Sequence, residues 1–177
     1  MKLRWITSSA LSTLLVLSSL SGAASPDKAN GPQAPLFELP TIANGTGVYK
    51  LSNELGQVTY IDYWASWCGP CRISLPALDS IYREFKDRGL KVVAVSVDVV
   101  EEDALDFLKR YQVSYPVLLD TGGATARAYA VGGMPSGYLI DTQGVIRDVH
   151  VGFRRGDETA IRQSILRLLG VEDGNDA

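Results

Sequence analysis

Cysteine is nearly absent from this chain: among 177 residues there are two, Cys68 and Cys71, together with a single histidine, His150. That shortage excludes a zinc site of the usual kind, which needs about four ligands. It also excludes the disulfide framework that many exported proteins of this size carry. Nor is there a surplus of positive charge. The 17 Lys and Arg are outnumbered by 20 Asp and Glu, a formal charge of −3, which argues against nucleic acid as a partner. The N-terminal apolar stretch, Ile6 to Leu20, is interrupted by serines and falls short of the ~20 apolar residues that span a bilayer. No internal repeat is visible. What the chain does have is 46% hydrophobic residues, enough for one domain with a sizeable core and short accessory segments.

The first 25 residues differ in kind from the rest. Lys2 and Arg4 precede the apolar stretch, and Ser21-Gly22-Ala23-Ala24-Ser25 supplies small residues for cleavage, the pattern of a secretory signal peptide over residues 1–25. No cysteine follows the stretch, so the lipid-attachment signal of a bacterial lipoprotein is missing; an uncleaved N-terminal membrane anchor is the alternative. Loss of Lys2 and Arg4 with the leader takes the formal charge from −3 to −5. Residues 26–35, with Pro26, Pro32 and Pro35, are expected to form an extended lead-in, residues 36–170 the folded domain, and 171–177 a flexible tail.

Periodicity within the domain predicts an α/β arrangement. Leu36–Leu39 and Val48–Leu51 are expected as short strands across a Gly/Asn-rich turn, and the apolar run Val58–Trp64 as a buried strand. Further strands are expected at Leu90–Val97 and Val117–Leu119, and a hairpin from Ser136–Asp141 and Val145–Val151. Helical spacing marks Cys71–Arg88, with Leu75, Leu78, Ile81, Tyr82 and Phe85 on one face, then Glu101–Tyr111, Gly123–Ala130 and Asp157–Leu169, stopped by Gly170. Strands alternating with helices imply parallel pairing through crossover connections. Pro76 is expected to kink the first helix, or to end a short one, because it cannot donate its backbone hydrogen bond.

The chemistry concentrates in Trp67-Cys68-Gly69-Pro70-Cys71. Cys68 falls where a strand hands over to a helix, so unpaired backbone N–H groups and the helix dipole favour its thiolate, the nucleophile of disulfide exchange. Cys71, one turn further on, is suited to attack the resulting mixed disulfide and is expected to be the more buried of the pair. A purely structural disulfide over so short a loop gains little from chain entropy. A redox pair is therefore the leading reading. His150, in an alternating run, is expected to be a strand residue rather than a catalyst.

The segment Asp62-Tyr63-Trp64-Ala65-Ser66-Trp67-Cys68-Gly69-Pro70-Cys71, followed by Pro76, resembles the active-site segment of thioredoxins. The order of elements is similar to the exported TlpA/ResA-like branch. The narrower match rests on Ala34-Pro35-Leu36-Phe37-Glu38-Leu39, on Tyr115-Pro116-Val117-Leu118-Leu119-Asp120, and on Gly133-Met134-Pro135 before Leu139-Ile140-Asp141. It covers residues 34–169. The resemblance implies a thioredoxin fold with an N-terminal β-hairpin and an inserted strand-helix unit, its central mixed sheet flanked by helices, and thiol-disulfide exchange outside the cytoplasm. No cofactor beyond the Cys68–Cys71 disulfide is implied.

Site roles follow residue by residue. Cys68 and Cys71 match the redox pair, with Gly69 and Pro70 between them as support. Asp62 matches the buried acid of thioredoxins, where many ResA-like proteins have asparagine; desolvation should raise its pKa and let it take the proton of Cys71. The competing reading is an inert aspartate bonded to backbone amides. Pro135 matches the cis-proline position, which would set the Met134 backbone beside the disulfide to bind an extended substrate. Trp67 is expected to pack beside the sulfur site, shielding it and offering an apolar docking surface, and Trp64 to be core. Two departures qualify the match: Ser74 stands where ResA-like members have glutamate, and Val92-Val93-Ala94-Val95-Ser96 offers no lysine to partner the acid.

Gly69-Pro70 places no imidazole between the cysteines, and thioredoxin, with this dipeptide, has a potential of about −270 mV. The expected activity is that of a reductase, monomeric and exported to the periplasm or another extracytoplasmic compartment. It would take electrons from a membrane thiol-disulfide transporter and pass them to disulfides of exported proteins, apocytochrome c among the clients. A disulfide oxidase or isomerase, and a non-catalytic binding module or chaperone, are the alternatives. Peroxiredoxin chemistry is disfavoured because Ala65 occupies the position where it needs a threonine.

Overall fold

The computed structural model describes residues 31–171. The expected leader, the first part of the lead-in and the tail beyond residue 171 lie outside the described residues. The elements in chain order are β1 (Glu38–Ala43), β2 (Val48–Lys50), β3 (Val58–Trp64), α1 (Cys71–Phe85), β4 (Leu90–Ser96), α2 (Glu101–Arg110), β5 (Val117–Leu119), α3 (Ala124–Ala128), β6 (Ser136–Ile140), β7 (Ile146–Val151) and α4 (Asp157–Leu169). The strands form one mixed sheet in the order β2-β1-β5-β4-β3-β6-β7. β3, β4 and β5 run parallel, and the flanking pairs are antiparallel.

All seven residues of β3 are buried, because the sheet is covered on both faces, and this accounts for its unbroken apolar run. Successive side chains alternate between two cores. Tyr60, Trp64, Val92 and Ala94 pack with Leu75, Leu78, Ile81 and Phe85 of α1, with Phe107 of α2, and with Ile161 and Ile165 of α4. Ile61, Tyr63, Val93, Val95 and Leu118 face the other way, toward Ala34, Phe37, Leu51 and Tyr129. Each fully buried side chain of this size contributes about 1.5–3 kcal/mol of transfer free energy. Together they fix α1 against β3. Tyr82, expected on the buried face of α1, is half-buried at its margin, its ring edge-on to Tyr115 at 5.7 Å.

Several boundaries differ from expectation. The first strand spans Glu38–Ala43 rather than Leu36–Leu39, since Thr41 and Ala43 pair with Leu118 and Val117 of β5 and draw the chain on past Pro40. Leu51 begins a 3-10 turn instead of ending β2. Pro76 does not end α1: the helix runs on to Phe85 with Pro76 on its exposed side, and residues 86–88 tighten into a 3-10 turn before Gly89, at φ 97°. α3 is shorter than expected. Asp120 caps it, accepting from the backbone N–H groups of Ala124, Thr125 and Ala126 and from the Thr125 hydroxyl.

Candidate active site

β3 ends at Trp64, whose indole is fully buried with its ring 5.1 Å from that of Phe107. The chain then turns, closed by the Cys68 N–H donating to the Ala65 carbonyl at 3.1 Å, and α1 starts at Cys71. Cys68 and Cys71 form a disulfide, with Cα atoms 5.4 Å apart. The Cys71 N–H donates to Cys68 Sγ at 3.2 Å, so the first free amide of the helix is aimed at the sulfur that would carry the negative charge. Cys68 retains 4% exposure and Cys71 none, so the first sulfur is the more accessible of the two. Gly69 and Pro70 are exposed. Trp67, next to Cys68 in the chain, is 68% exposed and so offers an apolar surface to solvent.

The Met134–Pro135 peptide bond is cis. Pro135 is buried, and half-buried Met134 packs against the cluster that holds both cysteines. Ser136, the next residue, pairs with Tyr63 in the β3–β6 ladder, so the proline loop lies at the same end of the sheet as the cysteine turn. The Gly152 N–H holds the Pro135 carbonyl at 2.8 Å, and Ser136 Oγ donates to the Gly133 carbonyl at 2.7 Å.

Asp62 lies two residues before the end of β3, 2% exposed, between Ala94 and Gly137 in register. Its Oδ2 has no hydrogen-bond partner among the described residues. Burial pushes its carboxyl well above the usual carboxylate range. Tyr60 and Tyr115 are pushed up as well, first by burial and then by the Asp62 charge. Ser74, on the buried face of α1 with Cys71, is 1% exposed, and its Oγ too has no hydrogen-bond partner among the described residues. That hydroxyl thus occupies the place of the ResA-like glutamate.

Gly137 opens space for Tyr60. A Cβ there would lie 1.8 Å from the Tyr60 hydroxyl oxygen, and the phenol passes over the glycine to stack on His150, ring centroids 6.3 Å apart. His150 lies in β7 opposite Gly137, its Nε2 3.2 Å from Asp148 Oδ2. It is a strand residue of β7. An apolar cleft lined by Leu36, Leu51, Leu55, Thr59 and Ile140 opens at the opposite end of β3 and includes neither cysteine. Among the described residues no cluster of three or more His, Cys, Asp or Glu could hold a metal, and no helix is long and apolar enough to cross a membrane.

Sequence reading missed Asp98 and Ser66. Asp98 is buried and accepts hydrogen bonds from the Ser66 backbone and hydroxyl, lashing the end of β4 to the cysteine turn. Its signal was a Ser-x-Asp at the carboxyl end of a parallel strand, where α/β sheets place their sites.

A thioredoxin-type sheet with an exchangeable dithiol at a helix N-terminus defines the molecule as a thiol-disulfide oxidoreductase. Residues 30–149 match the AhpC/TSA family, and the chain belongs to that family. Thioredoxin-like protein YneN of Bacillus subtilis is 37% identical over 125 residues, covering 69% of this chain and 71% of its own. Thiol-disulfide oxidoreductase ResA of the same organism is 34% identical over 122 residues, covering 69% and 67%. Among solved structures, a Chlorobium tepidum protein described as a candidate thiol:disulfide interchange protein DsbE superposes with a TM-score of 0.75 at 46% identity, over 79% of this chain and 97% of that one.

Proposed function

We propose that this protein is an extracytoplasmic reductase, passing electrons from a membrane thiol-disulfide transporter to disulfides of exported proteins, with apocytochrome c a client class. The Cys68 thiolate attacks a client disulfide, forming a mixed disulfide and releasing one client thiolate. Cys71 gives its proton to the Asp62 carboxylate and attacks Cys68 Sγ. The second client thiolate leaves, and the client has gained two electrons while Cys68–Cys71 becomes the disulfide. An extended client segment would lie along the Met134 backbone and Pro135, with Trp67 as its apolar footing.

The observation that carries the direction is the dipeptide between the sulfurs: Gly69-Pro70 puts no imidazole there, and the chain's one histidine, His150, stacks on Tyr60 in β7 instead. Strong oxidants of this kind stabilise their reduced form, and a pair without that extra stabilisation is harder to reduce. The name of the ResA relative and the leader-like residues 1–25 support the same reading. Equilibration of the protein against defined dithiothreitol or glutathione mixtures, read by mass spectrometry after thiol trapping, tests it. A potential of about −270 mV or below is expected; one above about −180 mV would assign disulfide formation or isomerisation instead.

A further inference from the structure

The exchange chemistry above leaves one buried carboxylate at the cysteine turn unused. Asp98, two residues past the end of β4, is 3% exposed. The Ser66 N–H donates to its Oδ2 at 2.9 Å and its Oδ1 at 3.2 Å, and Ser66 Oγ donates to Oδ1 at 2.7 Å. Ser96 Oγ donates to Oδ2 at 2.7 Å, while the Asp98 N–H donates back to Ser96 Oγ at 3.0 Å. Every donor to the carboxylate is a neutral group, and no ion pair among the described residues includes Asp98. Neutral donors hold an acceptor-only carboxylate in place without cancelling its charge.

Ser66 lies inside the turn that the Cys68 N–H closes on the Ala65 carbonyl. The ends of such a turn are under 7 Å apart, so the charge is held within roughly 10 Å of the Cys68 sulfur. Facing that turn from α1 and α2 are Arg72, Asp103, Asp106 and Arg110, which line a cleft with Ser66; two of each sign leave no strong net field of their own, and Asp62, buried in β3, is the same in every protein compared below. The Cys71 N–H and the α1 dipole favour the thiolate. Asp98 opposes them.

We propose that Asp98 is a positioning residue that holds the Cys68 turn and, through its fixed negative charge, tightens the hold of the Cys68 thiol on its proton and so keeps the pair reducing. A less stable thiolate makes the reduced form less stable, and the disulfide is then harder to reduce. The inference rests on Cys68 being the exchanging thiol.

The test compares reduced wild-type protein with Asp98→Asn, following thiolate absorbance against pH and the equilibrium with glutathione. In Asp98→Asn, Cys68 should titrate about half a unit to one unit lower, and at a pH above that titration the equilibrium should move roughly three- to tenfold toward the dithiol. Unchanged titration and equilibrium would overturn the proposal. Ser66→Ala removes one tether and keeps the charge. Its Cys68 titration should stay at the wild-type position, and a shift as large as that of Asp98→Asn would overturn the role of the charge. If Asp98→Asn does not fold, Asp98→Ser gives the same comparison, since it keeps an acceptor for the Ser66 N–H. An oxidising wild-type potential would sink the reductase reading alone, because the difference between variants measures Asp98 independently of it.

Discussion

Asp62 holds a carboxyl where water cannot reach it, and two measurements follow from that. Its proton affinity is raised in the folded state by burial and lies near 3.9 in the unfolded chain. The folded form therefore binds the proton more tightly, and stability falls as pH rises from about 4 through the folded pKa. Asp62→Asn should remove this slope, so that urea midpoints taken from pH 4 to pH 9 diverge, with the variant the more stable on the alkaline side. Parallel midpoints would refute the assignment. In exchange, Asp62→Asn should slow resolution of a trapped mixed disulfide about tenfold or more between pH 6 and pH 8, and an unchanged rate would end the proton-acceptor role. The cysteine pair was legible in the chain because its chemistry lies within three residues. The Ser66–Asp98 contact was not, because it joins residues 32 apart in sequence, through two strands whose register no local pattern states.

At the scale of elements, β3 and β6 meet through an exchange of volume. Gly137 gives up a side chain so that the Tyr60 phenol can cross the ladder. Gly137→Ala should destabilise the protein by about 1–3 kcal/mol, since a buried ring cannot yield the space cheaply. Chemical denaturation measures this directly, and a loss under about 0.5 kcal/mol would mean that Tyr60 repacks. α1 is held in turn by Asp79, whose carboxylate accepts from the Ser114 N–H and hydroxyl, each at 2.6 Å, and pairs with Arg83 at 2.8 Å. Helices and central strands were readable from periodicity because each buries a continuous face. β1 was misplaced by two to four residues because its partner, β5, lies more than seventy residues further along the chain. Pro40, a stop signal in isolation, stands in the strand opposite Val48, on an exposed edge of its ladder.

Among the described residues, 31–171, seven strands form one sheet with a core on each face. A chain beginning at Gly31 should thus unfold in one cooperative transition, with fluorescence and circular dichroism coincident, and retain exchange activity. Separate transitions would mean that the two faces of the sheet unfold independently. Composition and local spacing determined much by themselves: two thiols three residues apart at a strand-to-helix junction, a core large enough for one α/β domain, and an acid buried in an apolar strand. These are short-range properties, fixed by side-chain chemistry and helical or strand period. Only the tertiary structure decided which groups surround the sulfurs. It brought Asp98 to Ser66 of the turn, set the Pro135 loop at the same end of the sheet, left Ser74 with no partner among the described residues, and stacked His150 on Tyr60. Each of these depends on which strands lie side by side, and strand order is settled by burying two faces at once rather than by any one segment.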